Sequence, residues 1–139
     1  MSSAPPGPFN FAATYLRLRN DASIEPLHTG NDFWQRIMSG ALGSFHDEYL
    51  VTMFTFRADW QVSEMHPNGD EIVCLLDGGA TMVLERDDGE QLLELDDPGS
   101  YVLVPRGTWH TARTRTPCRM LFITAGEGTQ HRPAPTAAS

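Results

Sequence analysis

The stretch WQVSEMHPNGDEIV, residues 60–73, decides the fold. On a β-strand, successive side chains point to opposite faces. Trp60, Val62, Glu64 and His66 therefore share one face. Trp60 and Val62 are apolar, so that face is expected to point inward and to carry Glu64 and His66 with it. A buried carboxylate and imidazole need partners. Pro67, Asn68 and Gly69 signal a turn, after which a strand returns from Glu71 with Val73 and Leu75 on its face. A second stretch, GSYVLVPRGTWHTART, residues 99–114, has a similar shape. YVLV reads as a strand, Pro105 to Gly107 breaks it, and His110 starts the next strand with Ala112 and Thr114 on its face. If both strand pairs line one barrel, two histidines and two carboxylates converge.

The surrounding sequence supports a barrel. Short apolar runs end at turn signals near Asn68-Gly69, Asp77-Gly78-Gly79, Asp88-Gly89, Pro98-Gly99, Pro105-Arg106-Gly107 and Gly126. Turn signals recurring at roughly ten-residue intervals are the mark of an all-β sandwich or barrel. Asn-Gly and Asp-Gly supply the positive φ angles that tight hairpins need. Upstream, YLRLR (15–19) alternates as a strand would. NDFWQRIMSG (31–40) offers a capping Asn or Asp before apolar spacing, so it reads as a helix or a strand. The expected arrangement is one domain spanning 1–139, with a core over about 12–126. Residues 1–10 read as a loose arm and 128–139 as a loose tail.

Composition closes several classes. The chain has 139 residues and a net charge of -8. Acidic proteins are repelled by phosphate backbones and, more weakly, by anionic lipid surfaces, so neither nucleic acid nor membrane is an expected partner. No apolar run is long enough to span a bilayer. The N-terminal residues lack the basic and apolar regions of a secretion signal, so a cytoplasmic location is expected. Every basic residue is Arg, which closes Schiff-base chemistry and Walker-type phosphate loops. There is no Gly-x-Ser-x-Gly elbow. Cys74 and Cys118 lie in apolar runs and read as small buried hydrophobes.

The two stretches resemble the paired motifs of the cupin superfamily. Its first motif runs Gly, five residues, His-x-His, three or four residues, Glu, six residues, Gly. Here Ala58, Glu64-Met65-His66, Glu71 and Gly78 fill those slots. The second runs Gly, five residues, Pro-x-Gly-x-x-His, three residues, Asn. Here Gly99, Pro105, Gly107, His110 and Thr114 fill them. The resemblance covers residues 58–114 and implies an all-β, double-stranded β-helix or jelly-roll barrel with a short N-terminal extension. It also implies a homodimer and a metal ion near the barrel centre, held by His66, Glu71 and His110. Three slots depart from the pattern: Ala58 for Gly, Glu64 for the first His, and Thr114 for Asn.

Glu64 then has two readings. As a fourth ligand, it completes a two-His, two-carboxylate set that a divalent transition ion such as Fe, Mn, Zn or Ni would neutralise. As a neighbour of a two-His, one-carboxylate triad, it is the first choice for a general base. A metal-dependent enzyme acting on a small polar molecule follows, by dioxygenase, isomerase or lyase chemistry. The alternative is a non-catalytic cupin that binds or senses a small molecule. Tyr101, Trp109 and Phe122 read as core or pocket wall, and Trp60 as a flank of the pocket mouth. Arg57, Arg106 and Arg113 read as solvated side chains before substrate clamps. His46 reads as part of a polar loop, and His131 as solvated in the tail.

Overall fold

The computed structural model describes residues 5–135. Nine strands and one short helix follow in chain order: β1 (Thr14–Leu18), β2 (Ile24–His28), α1 (Phe33–Met38), β3 (Tyr49–Phe56), β4 (Val62–Met65), β5 (Glu71–Arg86), β6 (Gly89–Leu95), β7 (Tyr101–Val104), β8 (His110–Thr124) and β9 (Gln130–Pro133). Every strand pair is antiparallel. The alternation in 14–18 is a strand, and 33–38 is the helix. Asp32 stands at its N-cap position without a side-chain capping bond.

The two longest strands, β5 and β8, set the architecture. They pair along most of their length, from Glu71 opposite Thr124 to Leu84 opposite His110. Their register shifts between Leu75 and Ala80, so both bend there. On one side of the bend, β8 lies between β3 and β5, and β7 flanks β5. β1 and β2 extend that sheet beyond β3. On the other side, β4 and β9 add beyond β8, and β6 adds beyond β5. One strand pair thus feeds two sheets, the device that folds a sheet onto itself as a jelly roll.

The bend corrects one expectation. Asp77-Gly78-Gly79 reads as a hairpin turn, yet the chain continues through it as one strand. Gly78 has φ +82, and a Cβ there would sit 2.2 Å from the Pro117 carbonyl oxygen. The glycine serves a close crossing of β8 at a bulge rather than a reversal. By contrast, Asp87-Asp88 joins β5 to β6 as a tight hairpin, as expected.

The main core lies between the sheets. Leu75, Met82, Leu84 and Met120 are essentially inaccessible to solvent. Burial of each such side chain contributes about 1.5–3 kcal/mol. Cys118 is buried among them, and Cys74 is half-buried. A second cluster of Tyr15, Leu27, Phe33, Phe45 and Leu50 packs α1 onto β1–β3. Beside it, the buried Arg17 guanidinium donates from Nε and Nη2 to Glu48 Oε1 at 2.8 and 2.6 Å. The same group lies 4.1 Å from the centroid of the Phe45 ring.

Residues 129–135 are more regular than their composition suggests. Gln130–Pro133 forms β9 and pairs with β4, placing His131 opposite Glu64. The expected loose tail is therefore a strand over 130–133. Residues 1–4 and 136–139 of the expected arm and tail lie outside the described residues. Tyr101, expected in the core or a pocket wall, is instead 62% exposed. It sits on the outward face of β7, which is covered on one side only. Among the described residues, no helix is long and apolar enough to cross a membrane.

Candidate metal centre

β4 carries Glu64, and His66 follows at its end. The neighbouring strands hold this segment at both faces of its ladder. Glu64 pairs with His110 of β8 across one edge and with His131 of β9 across the other. Ser63 Oγ donates to the His110 carbonyl, and Thr111 Oγ1 donates to the Val62 carbonyl. Gly107 N donates to the His66 carbonyl, tying the second turn to the first. Gly107 has φ +76, which the Pro105–Gly107 turn requires. Thr114, in the slot where the cupin motif has Asn, donates from Oγ1 to the Ala58 carbonyl.

Strand parity holds. Trp60, Val62, Glu64 and His66 all line one cavity. Val62 is 38% exposed because that face opens on a cavity rather than on packed core. Ser63, on the opposite face, is buried.

Glu64, His66, Glu71 and His110 come together, each offering one ligand atom within 4.8 Å of the others. His66, Glu71 and His110 are buried, and Glu64 is partly exposed. Glu71 Oε1 lies 2.9 Å from His110 Nε2, and Glu71 Oε2 lies 3.3 Å from His66 Nε2. Glu64 Oε2 lies 3.7 Å from His66 Nε2. Despite this crowding, His66 Nε2, His110 Nε2 and Glu71 Oε1 have no hydrogen-bond partner.

The outward-facing atoms explain why. His110 Nδ1 is 3.0 Å from the Thr108 carbonyl, which can only accept, so Nδ1 carries the proton. His66 Nδ1 is 2.8 Å from Thr129 Oγ1. The single Thr129 hydroxyl proton goes to the Gly126 carbonyl, so Thr129 accepts and His66 Nδ1 also carries its proton. In its neutral form, each imidazole therefore turns a bare Nε2 lone pair toward the cluster. Glu71 Oε2 accepts from Thr124 Oγ1 at 2.6 Å, leaving Oε1 aimed at the same point. Three buried acceptors facing one another are balanced by positive charge between them, from a proton or a metal ion. A divalent metal fits this donor set, because metal-bound histidines characteristically donate their other ring N–H to a carbonyl or similar acceptor.

Charge in the cluster is strongly coupled. Burial alone would push the Glu71 carboxyl up, but its contacts with His110 and His66 outweigh that and hold it at about 2. Burial likewise works against a charged His110, yet contact with Glu71 raises its proton affinity above that of an ordinary histidine. Both directions express a demand for positive charge at one point.

The cavity above the cluster has a volume of about 1000 Å³. Phe122 and Trp60 form part of its wall, as expected. None of Arg57, Arg106 and Arg113 lines it. Trp109 instead supports β9, with the Arg132 guanidinium 4.0 Å from its ring centroid. His46 is exposed and bonds Glu127 through Nδ1. His131 is 54% exposed, but its Nε2 lies 3.4 Å from Glu64 Oε1, so it belongs at the edge of the site. Sequence reading missed Thr124, Thr129 and the carbonyl of Thr108. Thr124 shares a strand face with Phe122 and was within reach of the parity argument. Thr129 lies in a Gly-Thr turn with no local signal.

The fold is the cupin jelly roll, and it holds a His/Glu cluster able to bind a metal. Oxalate decarboxylase from Bacillus subtilis has a similar structure, with a TM-score of 0.52 at 19% identity. The match covers 61% of this chain and 23% of that one. A cupin superfamily protein from Desulfitobacterium hafniense is 26% identical, with a TM-score of 0.46 over 55% of this chain and 65% of that one. A cupin-2 domain protein from Shewanella frigidimarina is 21% identical, with a TM-score of 0.46 over 55% of this chain and 69% of that one. No family model matches the chain, and no curated protein matches it.

Proposed function

We propose that this protein is a metal-dependent cupin in which His66, Glu71 and His110 hold a divalent transition ion and Glu64 handles a proton. The observation that carries this reading is the convergence of three buried, unpartnered acceptor atoms whose histidine tautomers are fixed from behind. Bound there, the ion would act as a Lewis acid on substrate oxygens. Two imidazoles and carboxylate favour Mn, Fe, Zn or Ni. The oxalate decarboxylase of similar fold has Mn(II) centres, which makes Mn a sensible first ion to test.

The chain's own residues divide the remaining work. Thr108 and Thr129 orient the imidazoles, and Thr124 orients Glu71. Glu64 reaches toward the cluster with Oε2 and toward half-exposed His131 with Oε1. It can therefore accept a proton inside the cavity and pass it to an imidazole near solvent. This geometry favours proton-transfer chemistry, isomerisation or lyase action, over a purely structural role for Glu64.

Metal analysis of protein purified without an affinity tag, after reconstitution with Mn(II) and Fe(II), tests the reading. About one ion per chain is expected, and Glu64→Gln should retain it. An ion content far below one per chain would overturn the proposal. A non-catalytic binding protein is the second reading, favoured by the size and apolar character of the cavity. Ligand binding without turnover in the metal-loaded protein would select it.

A further inference from the structure

The wall of the cavity has a character that the motif residues alone do not reveal. The faces that carry the metal-binding groups continue directly into aromatic wall. On β8, Phe122 lies two residues from Thr124, which bonds Glu71. Two residues along a strand span roughly 7 Å. On the approach to β4, Trp60 shares its face with Glu64 and His66. β3 adds Phe54 and Phe56 from one face, and α1 adds Trp34 at the rim.

These rings form one continuous group. Trp60 lies 5.7 Å from Phe122 and 5.2 Å from Phe56 between centroids. Phe54 lies 5.9 Å from Phe122 and 6.1 Å from Phe56. Trp34 stacks on Phe54 at 6.0 Å and 29°. Phe54, Phe56 and Trp60 pack against the core but are only partly buried. Their remaining surface faces the cavity.

The charged groups on the wall sharpen the picture. Among the described residues, no Arg or Lys lines the cavity. Its acids already have partners. Asp59 accepts from Thr114 N, Glu127 contacts His46, Glu64 contacts His131, and Glu71 accepts from Thr124. Apart from the cluster, only half-exposed His131 at the cavity's edge could offer positive charge to an anionic group on the ligand, among the described residues. A second carboxylate or phosphate set deeper, among the rings, would be desolvated with no counter-charge.

We infer that the cavity takes a molecule with one oxygen-donor head, held at the metal, and an uncharged aromatic body, packed among Phe54, Phe56, Trp60 and Phe122. This inference rests on the proposed metal reading for the head and on the cavity wall for the body. A ring in such a setting gains from apolar burial and from edge-to-face or offset contacts with neighbouring rings.

The test compares three hydroxamates on Mn-loaded protein by calorimetry. They share a chelating head and differ in body: acetohydroxamate, benzohydroxamate and 4-carboxybenzohydroxamate. Benzohydroxamate should bind about 10- to 100-fold tighter than acetohydroxamate, the factor expected for burying a phenyl ring. The added carboxylate should remove most of that gain. Phe56→Leu keeps an apolar side chain and removes a ring. It should narrow the aryl preference several-fold while leaving Mn content and acetohydroxamate affinity unchanged. Equal affinity for the first two ligands, or tighter binding of the carboxylated one, would overturn the inference and leave the metal reading intact. If the protein takes up no metal, the metal reading fails alone. Quenching of Trp fluorescence by uncharged 2-naphthol then reads the wall directly. Saturable quenching that weakens in Phe56→Leu supports the aromatic body, and its absence overturns it.

Discussion

Two buried charged clusters in this protein have opposite bookkeeping. Arg17 and Glu48 meet beside the second core cluster, with the guanidinium donating twice to one carboxylate oxygen and lying against Phe45. Its positive and negative charges cancel within the pair. The His66, Glu71 and His110 cluster is buried more deeply still, yet three of its facing atoms lack hydrogen-bond partners. The first cluster is complete as it stands. The second leaves negative charge and lone pairs facing one point, where a bound cation would balance them. The difference teaches that burial of charge does not mark a functional site; unmatched burial of charge does.

The largest effect expected from this contrast is structural. Arg17→Met leaves buried Glu48 with only Arg19, 3.8 Å from its Oε2, to offset its charge, and should cost about 3 kcal/mol of stability. Urea unfolding measures the loss, and the folded fraction should still bind metal. Loss of metal uptake in the folded variant would break the separation between the two clusters.

The next effect belongs to the other cluster. Mn(II) at a hundredfold excess over its dissociation constant should stabilise the wild-type chain by about 2.7 kcal/mol. The Arg17→Met chain should gain the same increment, and His110→Ala should gain none. Thermal unfolding with and without the ion decides this.

A smaller effect should follow from the groups behind the ligands. Thr129→Val removes the oxygen that fixes the His66 tautomer and should lower metal affinity about 10- to 100-fold. Thr129→Ser should restore it, since the hydroxyl and not the methyl group bonds Nδ1. Competition against a fluorescent chelator gives the affinity.

The mildest test is pH. Protons and metal compete for the same Nε2 lone pairs. The His110 imidazole holds its proton more tightly than an ordinary histidine, because Glu71 lies against it. Apparent metal affinity should therefore fall as pH is lowered, with the decline beginning above the usual histidine range near 6.5. A decline beginning only well below that range would show that Glu71 does not raise His110.

Much of the candidate site was legible because it rests on local rules. Period-two alternation put Glu64 and His66 on the face of Trp60 and Val62. The turn at Pro67–Gly69 started the next strand at Glu71, and the turn at Pro105–Gly107 delivered His110. Other features rest on partners distant in the chain. Arg17 and Glu48 are separated by 31 positions, with no pattern to link them. Gly78 carries the same turn signal as a hairpin, and only the crossing of Pro117 makes it a bulge. β9 has a Pro-rich, polar composition that reads as tail, and its order comes from the free edge of β4. The aromatic lining of the cavity was also hidden. Phe54 and Phe56 look like ordinary core until the helix and β3 leave part of them uncovered.

The position of β9 sets an order on assembly. Glu64, His66, Glu71 and His110 all precede residue 111 in the chain. The hydroxyl that fixes His66 and the imidazole that meets Glu64 come later, at Thr129 and His131. Until the segment carrying Thr129 and His131 is in place, the four side chains can meet but the His66 ring is free to present either nitrogen. On the proposed metal reading, the His66 ring is set for an ion only once β9 has docked against β4.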